Sequence, residues 1–194
     1  MFKNRFAAIG FLLIVTGLLS TAAGQGRPDP AALISAQRTA MNRFAEMDGV
    51  WRGPASTVNP SGQKHTITQT ERVGSFLDGS VKVMEGRGYE GDGKVSFNAL
   101  GIISYDAQKQ MYTMHSYAMG RVGDFVLTPT ADGFQWEIPA GPMTIRYSAV
   151  IGNGTWKEVG DRISAGREPV RFFEMKLTRV GDTDWPAAGA VSPK

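Results

Sequence analysis

The sequence predicts an all-β protein: a closed, antiparallel, up-and-down β-barrel of about ten strands preceded by one N-terminal α-helix. Three observations lead there. From Val50 onward, runs rich in Val, Ile, Thr, Tyr and Phe alternate apolar and polar side chains. Turn chemistry separates these runs: Pro60-Ser61-Gly62, Asp78-Gly79, Gly91-Asp92-Gly93, Asp106-Ala107, Asp132-Gly133, Gly141-Pro142 and Asn153-Gly154. Only one stretch, ahead of all the strands, has helical spacing. A meander of that length leaves bare edges that invite aggregation unless it closes on itself.

The chain begins with a targeting pattern. Lys3 and Arg5 precede Phe6–Leu19, 14 residues without charge, and the small residues Ser20–Gly24 follow. As a helix that run would cover about 21 Å, short of a ~30 Å hydrocarbon core. Residues 1–24 therefore read as a signal peptide, cleaved between Ala22 and Gln25. The expected location is periplasmic or extracellular, with membrane contact only through this peptide. Residues 25–48 read as a linker and an amphipathic helix. Asp29-Pro30 supplies a cap and a first-position proline, and Leu33, Ala36, Ala40, Phe44 and Met47 share a face. Gly49 ends that helix, which is expected to pack against the rest or plug it.

Residues 49–181 carry the barrel. Strands are expected near Val50–Val58, Lys64–Val73, Ser80–Tyr89, Val95–Tyr105, Met111–Ala118, Gly123–Pro129, Phe134–Ile138, Met143–Ile151, Thr155–Ser164 and Val170–Val180. Alternation groups Val95, Phe97, Ala99, Gly101, Ile103 and Tyr105 on one face, and Met143, Ile145, Tyr147, Ala149 and Ile151 on another. Val81, Val83, Glu85, Arg87 and Tyr89 form a third, and Glu174 shares one with Val170 and Phe172. The isolated charges Glu85, Arg87 and Glu174 stand at the rims or outside, or else inside, where each must pair with another charge or a ligand. Residues 182–194, rich in Pro and Ala, read as a poorly ordered tail.

Composition excludes several chemistries. The chain has no Cys, so a disulfide scaffold, a thiolate zinc site, an iron–sulfur cluster and a cysteine nucleophile are out. Beyond residue 24 there are 19 Lys and Arg against 18 Asp and Glu, a net charge of +1 with no basic cluster, so no nucleic-acid partner is expected. His65 and His115 have no metal-ligand spacing, and no nucleophile elbow or phosphate loop occurs, so neither a metal nor a cofactor is expected. Gly86-Arg87-Gly88 and Gly91-Asp92-Gly93 read as hairpin turns. A carboxylate pair of Glu85 with Glu158 or Glu174 is conceivable across a barrel. Trp136, Trp156, Phe172 and Phe173 read as core or rim packing.

Gly49-Val50-Trp51-Arg52-Gly53 opens the first strand as G-x-W-x-G, and Glu174-Met175-Lys176-Leu177-Thr178-Arg179 closes the last. This pairing resembles lipocalins and their calycin relatives. Such a resemblance implies that Gly49, Trp51 and Arg179 close the barrel base, the guanidinium stacking on the indole. Gly101-Ile102-Ile103-Ser104-Tyr105-Asp106, with Arg146 after the Gly141-Pro142 turn, is similar to a secreted bacterial calycin-like group, domain of unknown function 1579. That group often carries a Gly-Gly-Arg-Phe-Leu-like turn where Gly74-Ser75-Phe76-Leu77-Asp78-Gly79 stands, and the Arg is missing here. Nitrobindin-type haem barrels share the G-x-W-x-G opening but ligate haem through a His on a late strand, where this chain has none.

The expected function is non-enzymatic binding of a small hydrophobic or amphipathic molecule inside the barrel. Candidate ligand contacts are Glu85, Arg87, Tyr105, His115, Tyr117, Arg146 and Tyr147, with Arg87 and Arg146 facing an anionic head group. Two alternatives stand beside it. One is a filled envelope barrel that contacts a partner; the other is a small isomerase or hydrolase using His115 or Glu85.

Overall fold

A computed structural model of the chain describes residues 28–186. The segment read as a signal peptide and residues 187–194 of the tail lie outside the described residues. Helix α1 spans Pro30–Met41. The Asp29 carboxylate accepts from the Ala31 N–H at 3.0 Å, and Pro30 takes the first helical position, where an N–H would be unpaired anyway. The helix expected to run to Met47 stops being α-helical at Met41. Asn42–Met47 winds as a tighter 3-10 turn with a break at Phe44 (φ −100°, ψ 19°). This tightening turns Phe44 and Met47 toward the barrel, where both are buried with Met41.

Ten strands follow: β1 (Gly49–Val58), β2 (Lys64–Phe76), β3 (Val81–Tyr89), β4 (Val95–Asp106), β5 (Met111–Ala118), β6 (Arg121–Pro129), β7 (Gly133–Ala140), β8 (Met143–Gly152), β9 (Thr155–Ser164) and β10 (Val170–Gly181). Each pairs antiparallel with its chain neighbour, and β1 pairs with β10 from Val50↔Gly181 to Thr57↔Phe173, so the sheet closes. Asn153 and Gly154 both adopt positive φ, the geometry of a two-residue hairpin whose twist matches its strands. The pairing is uneven around the wall. β1 and β2 stay in register from Gly49↔Val73 to Val58↔Lys64, whereas β6 and β7 pair only from Leu127↔Trp136 to Pro129↔Phe134.

One end of the barrel is plugged. Phe44 packs edge-on against Tyr112 at 5.2 Å and Phe134 at 5.9 Å. The Tyr112 hydroxyl donates to the Ala40 carbonyl, and the Gln37 amide to the Tyr105 carbonyl, each at 3.1 Å. Trp51 is 1% exposed; its indole N–H donates to the Met47 carbonyl at 2.9 Å, and its ring meets Trp156 edge-on at 5.8 Å. Arg179 is the register partner of Trp51. Its guanidinium donates to the Asp48 carbonyl at 3.2 Å and pairs with Asp182 at 2.6 Å. The stacking on indole that the resemblance implied is replaced by these polar contacts. Gly49 makes room for them: it sits at φ 143°, and a Cβ there would lie 2.8 Å from Arg179 Nε.

Two polar features of this end had no counterpart in the sequence reading. Lys82, 3% exposed, donates to Asp48 at 2.7 Å and to the Ser75 hydroxyl at 2.8 Å, tying the starts of β1 and β3 to the end of β2. The beginning of the tail is also engaged. Trp185 lies on Gly74 and edge-on to Phe76, and Asp184 pairs with Arg72 at 2.9 Å.

Candidate ligand cavity

Between the plug and the opposite rim the strands enclose a cavity of about 470 Å³. That volume lies within the usual range for small-molecule sites. Its walls are mostly apolar, with Ile67, Met84, Met114, Trp136, Phe173 and Met175 prominent. The aromatic side is ordered by contact. Trp136 and Tyr147 stack at 4.5 Å with 13° between planes, and Tyr147 meets Phe173 edge-on at 5.7 Å. At the rim, His65 also lines the cavity; its side chain is 58% exposed and pairs with Glu90 at 2.9 Å. Ser96 and then His65 hold the Glu90 carboxyl below its ordinary range. Also near this rim, Arg162 lies over the Phe172 ring at 4.4 Å.

Two carboxyl groups break the apolar wall. Glu71 projects from β2, 8% exposed, and accepts from the Gln69 amide at 2.7 Å. Glu158 projects from β9 and accepts from the Trp136 indole N–H at 3.3 Å. Burial pushes Glu71 up from 4.5 to about 8, the Gln69 bond working against it and the charges of Glu158 and Glu85 adding to it. Burial likewise pushes Glu158 up to about 7, opposed by the indoles of Trp136 and Trp156. Glu158 lines the cavity, and its burial there penalises the charged form. The Trp156 N–H is buried beside this carboxyl without completing a hydrogen bond. Tyr147 is pushed up to about 12, first by burial and then by Glu158.

The space for the Glu71 head comes from β3. Gly86 points inward, and a Cβ there would stand 2.7 and 2.9 Å from the two Glu71 oxygens. Gly86 and Gly88 are therefore mid-strand residues of β3, not the hairpin turn their spacing suggested. β3 also presents the opposite face from the apolar one: Met84 and Gly86 line the cavity and Lys82 is buried near the plug, whereas Glu85 and Arg87 lie outside. Small residues win the inward positions because Gln69 and Glu71 already fill the space across from them.

Of the seven residues expected to contact a ligand, Tyr147 lines the cavity. Tyr105 faces inward nearer the plug and packs on Tyr112 at 4.7 Å. The other five stand apart from it. Glu85 and Arg87 pair with each other at 2.6 Å, and Arg146 pairs with Glu137 at 2.7 Å. His115 pairs with Asp124 at 2.5 Å, and Tyr117 packs edge-on against His115 at 4.9 Å. Arg146–Glu137 and His115–Asp124 are outward neighbours on adjacent strands, whereas Glu85–Arg87 and His115–Tyr117 stand two residues apart on the outer face of one strand, consistent with alternation from inward Gly86 and Met114. Glu174 is likewise outside, at 59% exposure, and with Glu85 on the outer face paired to Arg87 neither expected carboxylate pair forms; Glu158 acts on Glu71 instead. Glu71 sits within the polar run Thr68-Gln69-Thr70-Glu71-Arg72, whose composition singles out no residue. The usable signal was its place in the alternating set Ile67, Gln69, Glu71, Val73. Among the described residues, no group of three His, Asp or Glu side chains gathers as a metal site would require.

No family model and no curated protein matches the chain. Solved structures do. Rv2717c from M. tuberculosis superposes with a TM-score of 0.55 at 11% identity, covering 72% of this chain and 96% of its own. The S-type phycobiliprotein lyase CpeS from Guillardia theta gives 0.51 at 11% identity, covering 80% of this chain and 100% of its own. Both are calycin-like β-barrels, and at that identity the likeness is one of fold: the chain folds as a calycin-like barrel.

Proposed function

We propose that this protein is an exported binding protein that holds one small hydrophobic or amphipathic molecule inside its barrel. The observation that carries the reading is the cavity of about 470 Å³, walled mainly by apolar and aromatic side chains and reaching the exposed His65 at the rim. Apolar walls supply affinity, and a few polar groups orient the bound molecule. The plug closes the other end, so the rim is the way in. The fold shared with a phycobiliprotein lyase is compatible with a ligand in the barrel. The Gly49–Gly53 motif resembles the opening of calycin barrels, the Gly101–Asp106 motif resembles domain of unknown function 1579, and the leader pattern supports export.

Native mass spectrometry of the protein purified from its own host tests this reading. A co-purified small molecule, or displacement of a hydrophobic dye by amphiphiles at one-to-one stoichiometry, is the expected result. A clean unliganded mass with no dye uptake overturns it. Cell fractionation tests export separately, and recovery only in the cytoplasm would sink that part.

A further inference from the structure

We propose that the ligand is a cationic amphiphile whose protonated amine sits between Glu71 and Glu158, with its apolar part directed to the rim. This deepens the reading above and rests on it.

The first argument is charge. Two carboxyls face an apolar cavity, and among the described residues neither has a cationic partner. A buried carboxylate is retained at such a site when something pairs with it. An anionic head group between the two carboxyls would meet acids, the basic groups nearest the cavity, Arg162 at Phe172 and His65, lying toward the rim.

The second argument is built space. Gly86 holds β3 clear of the Glu71 oxygens, and Gln69 donates to one of them, leaving the other without a hydrogen-bond donor among the described residues. That oxygen is free to accept from an ammonium.

The third argument is the unmatched donor. Trp156 is 1% exposed, lines the cavity and carries an N–H with no partner, beside a Glu158 that already accepts from Trp136. An ionised Glu158 can accept from both indoles. A cation between the acids produces that ionised state. The stacked Trp136 and Tyr147 add π-faces, which attract cations.

The burial that holds Glu71 at about 8 and Glu158 at about 7 leaves Glu71 mostly protonated and Glu158 partly protonated in the empty cavity at neutral pH. An arriving ammonium takes the place of such a proton, which leaves to solvent. Affinity for an amine therefore rises with pH, and binding releases protons. The other charged groups facing the cluster do not reverse this sign. Tyr147 from β8 stays protonated, Glu85 behind β3 is paired with Arg87, and Lys82 toward the plug is paired with Asp48. Arg162 on β9 lies at Phe172, and His65 and Glu90 of the rim pair with each other.

The test uses decylammonium, decanol and decanoate as probes of equal chain length, titrated calorimetrically into the intact protein at pH 6 and pH 8. Each titration is repeated in two buffers of different ionisation enthalpy to count protons. Decylammonium is expected to bind at least about tenfold tighter than either other probe at pH 8, more tightly there than at pH 6, and with proton release. Glu71→Gln with Glu158→Gln is expected to remove that preference while keeping decanol binding, which shows the variant is folded. Equal or tighter binding of decanol or decanoate, or an amine affinity that falls with pH, overturns the amine and leaves the binding barrel intact. Absence of binding by all three overturns both.

Discussion

At the end beneath α1 the barrel is filled: Met41, Phe44, Met47, Trp51, Ile103 and Leu177 are all buried, and the buried ammonium of Lys82 bonds Asp48 and Ser75. Further along the same strands, glycine replaces bulk at Gly86 and Gly88, and two carboxyls hang in the wall without cationic partners. Stability is concentrated where side chains interdigitate and polar groups are matched. Room for a ligand is made where they are not. The contrast teaches that one alternating pattern builds both halves, and the residue size at inward positions decides which half is which.

The largest effect is expected at the plug. Trp51→Ala removes a buried indole, its bond to Met47 and its contact with Trp156, and should cost roughly 3–5 kcal/mol by urea denaturation. A neutral result would break the comparison at its firmer side. Next comes Asp48→Ala, which strands the buried Lys82 ammonium. A loss of about 3 kcal/mol is expected, much of it restored by adding Lys82→Met, because the pair is replaced rather than halved.

The cavity half is expected to answer to pH. Folded Glu71 and Glu158 keep their protons to about 8 and about 7, whereas an unfolded chain releases them near 4.5. Between those values the folded state binds more protons, so this contribution is fully present below pH 4.5 and is lost as pH rises to about 8. The loss is on the order of 1 kcal/mol per pH unit for each group. Urea midpoints measured from pH 5.5 to pH 8 should therefore fall in the native protein and stay flat in the Glu71→Gln, Glu158→Gln variant. Parallel curves would mean the acids are not buried as described. The smallest effects belong to the outer wall. His115→Ala and Arg146→Ala each remove one partner of an exposed pair, and ligand affinity should stay within about twofold. A larger change would draw the outer face into the site.

Much of the fold was legible beforehand. The strand spans from the first G-x-W-x-G to the last Arg-bearing strand match within a few residues, because period-two alternation and turn chemistry are local signals. β2 ran on to Phe76 because Gly74-Ser75-Phe76 still pairs with Val83-Lys82-Val81, and the chain reverses only at the left-handed Leu77 and Asp78. The helix was legible in its start but not in its 3-10 end, which answers to the barrel mouth it fills. The site was far less legible. Alternation sorts a strand into two faces but does not say which one turns inward when both are mixed. On β3 the apolar set looked like the inside, yet Met84, Gly86 and Gly88 took it, a choice made by Gln69 and Glu71 on the neighbouring strand. His115 and Tyr117 attracted attention by chemistry, while Glu71 hid in a polar run whose partners are distant in sequence.

The short β6–β7 ladder has a dynamic consequence. Breaking three rungs takes less than unzipping the ten between β1 and β2, so thermal opening of the wall concentrates at that seam. Backbone amides of Val122–Val126 should exchange with heavy water ahead of those in β1 and β2. A guest too long or too stiff for the rim then has a sideways exit that leaves the plug undisturbed.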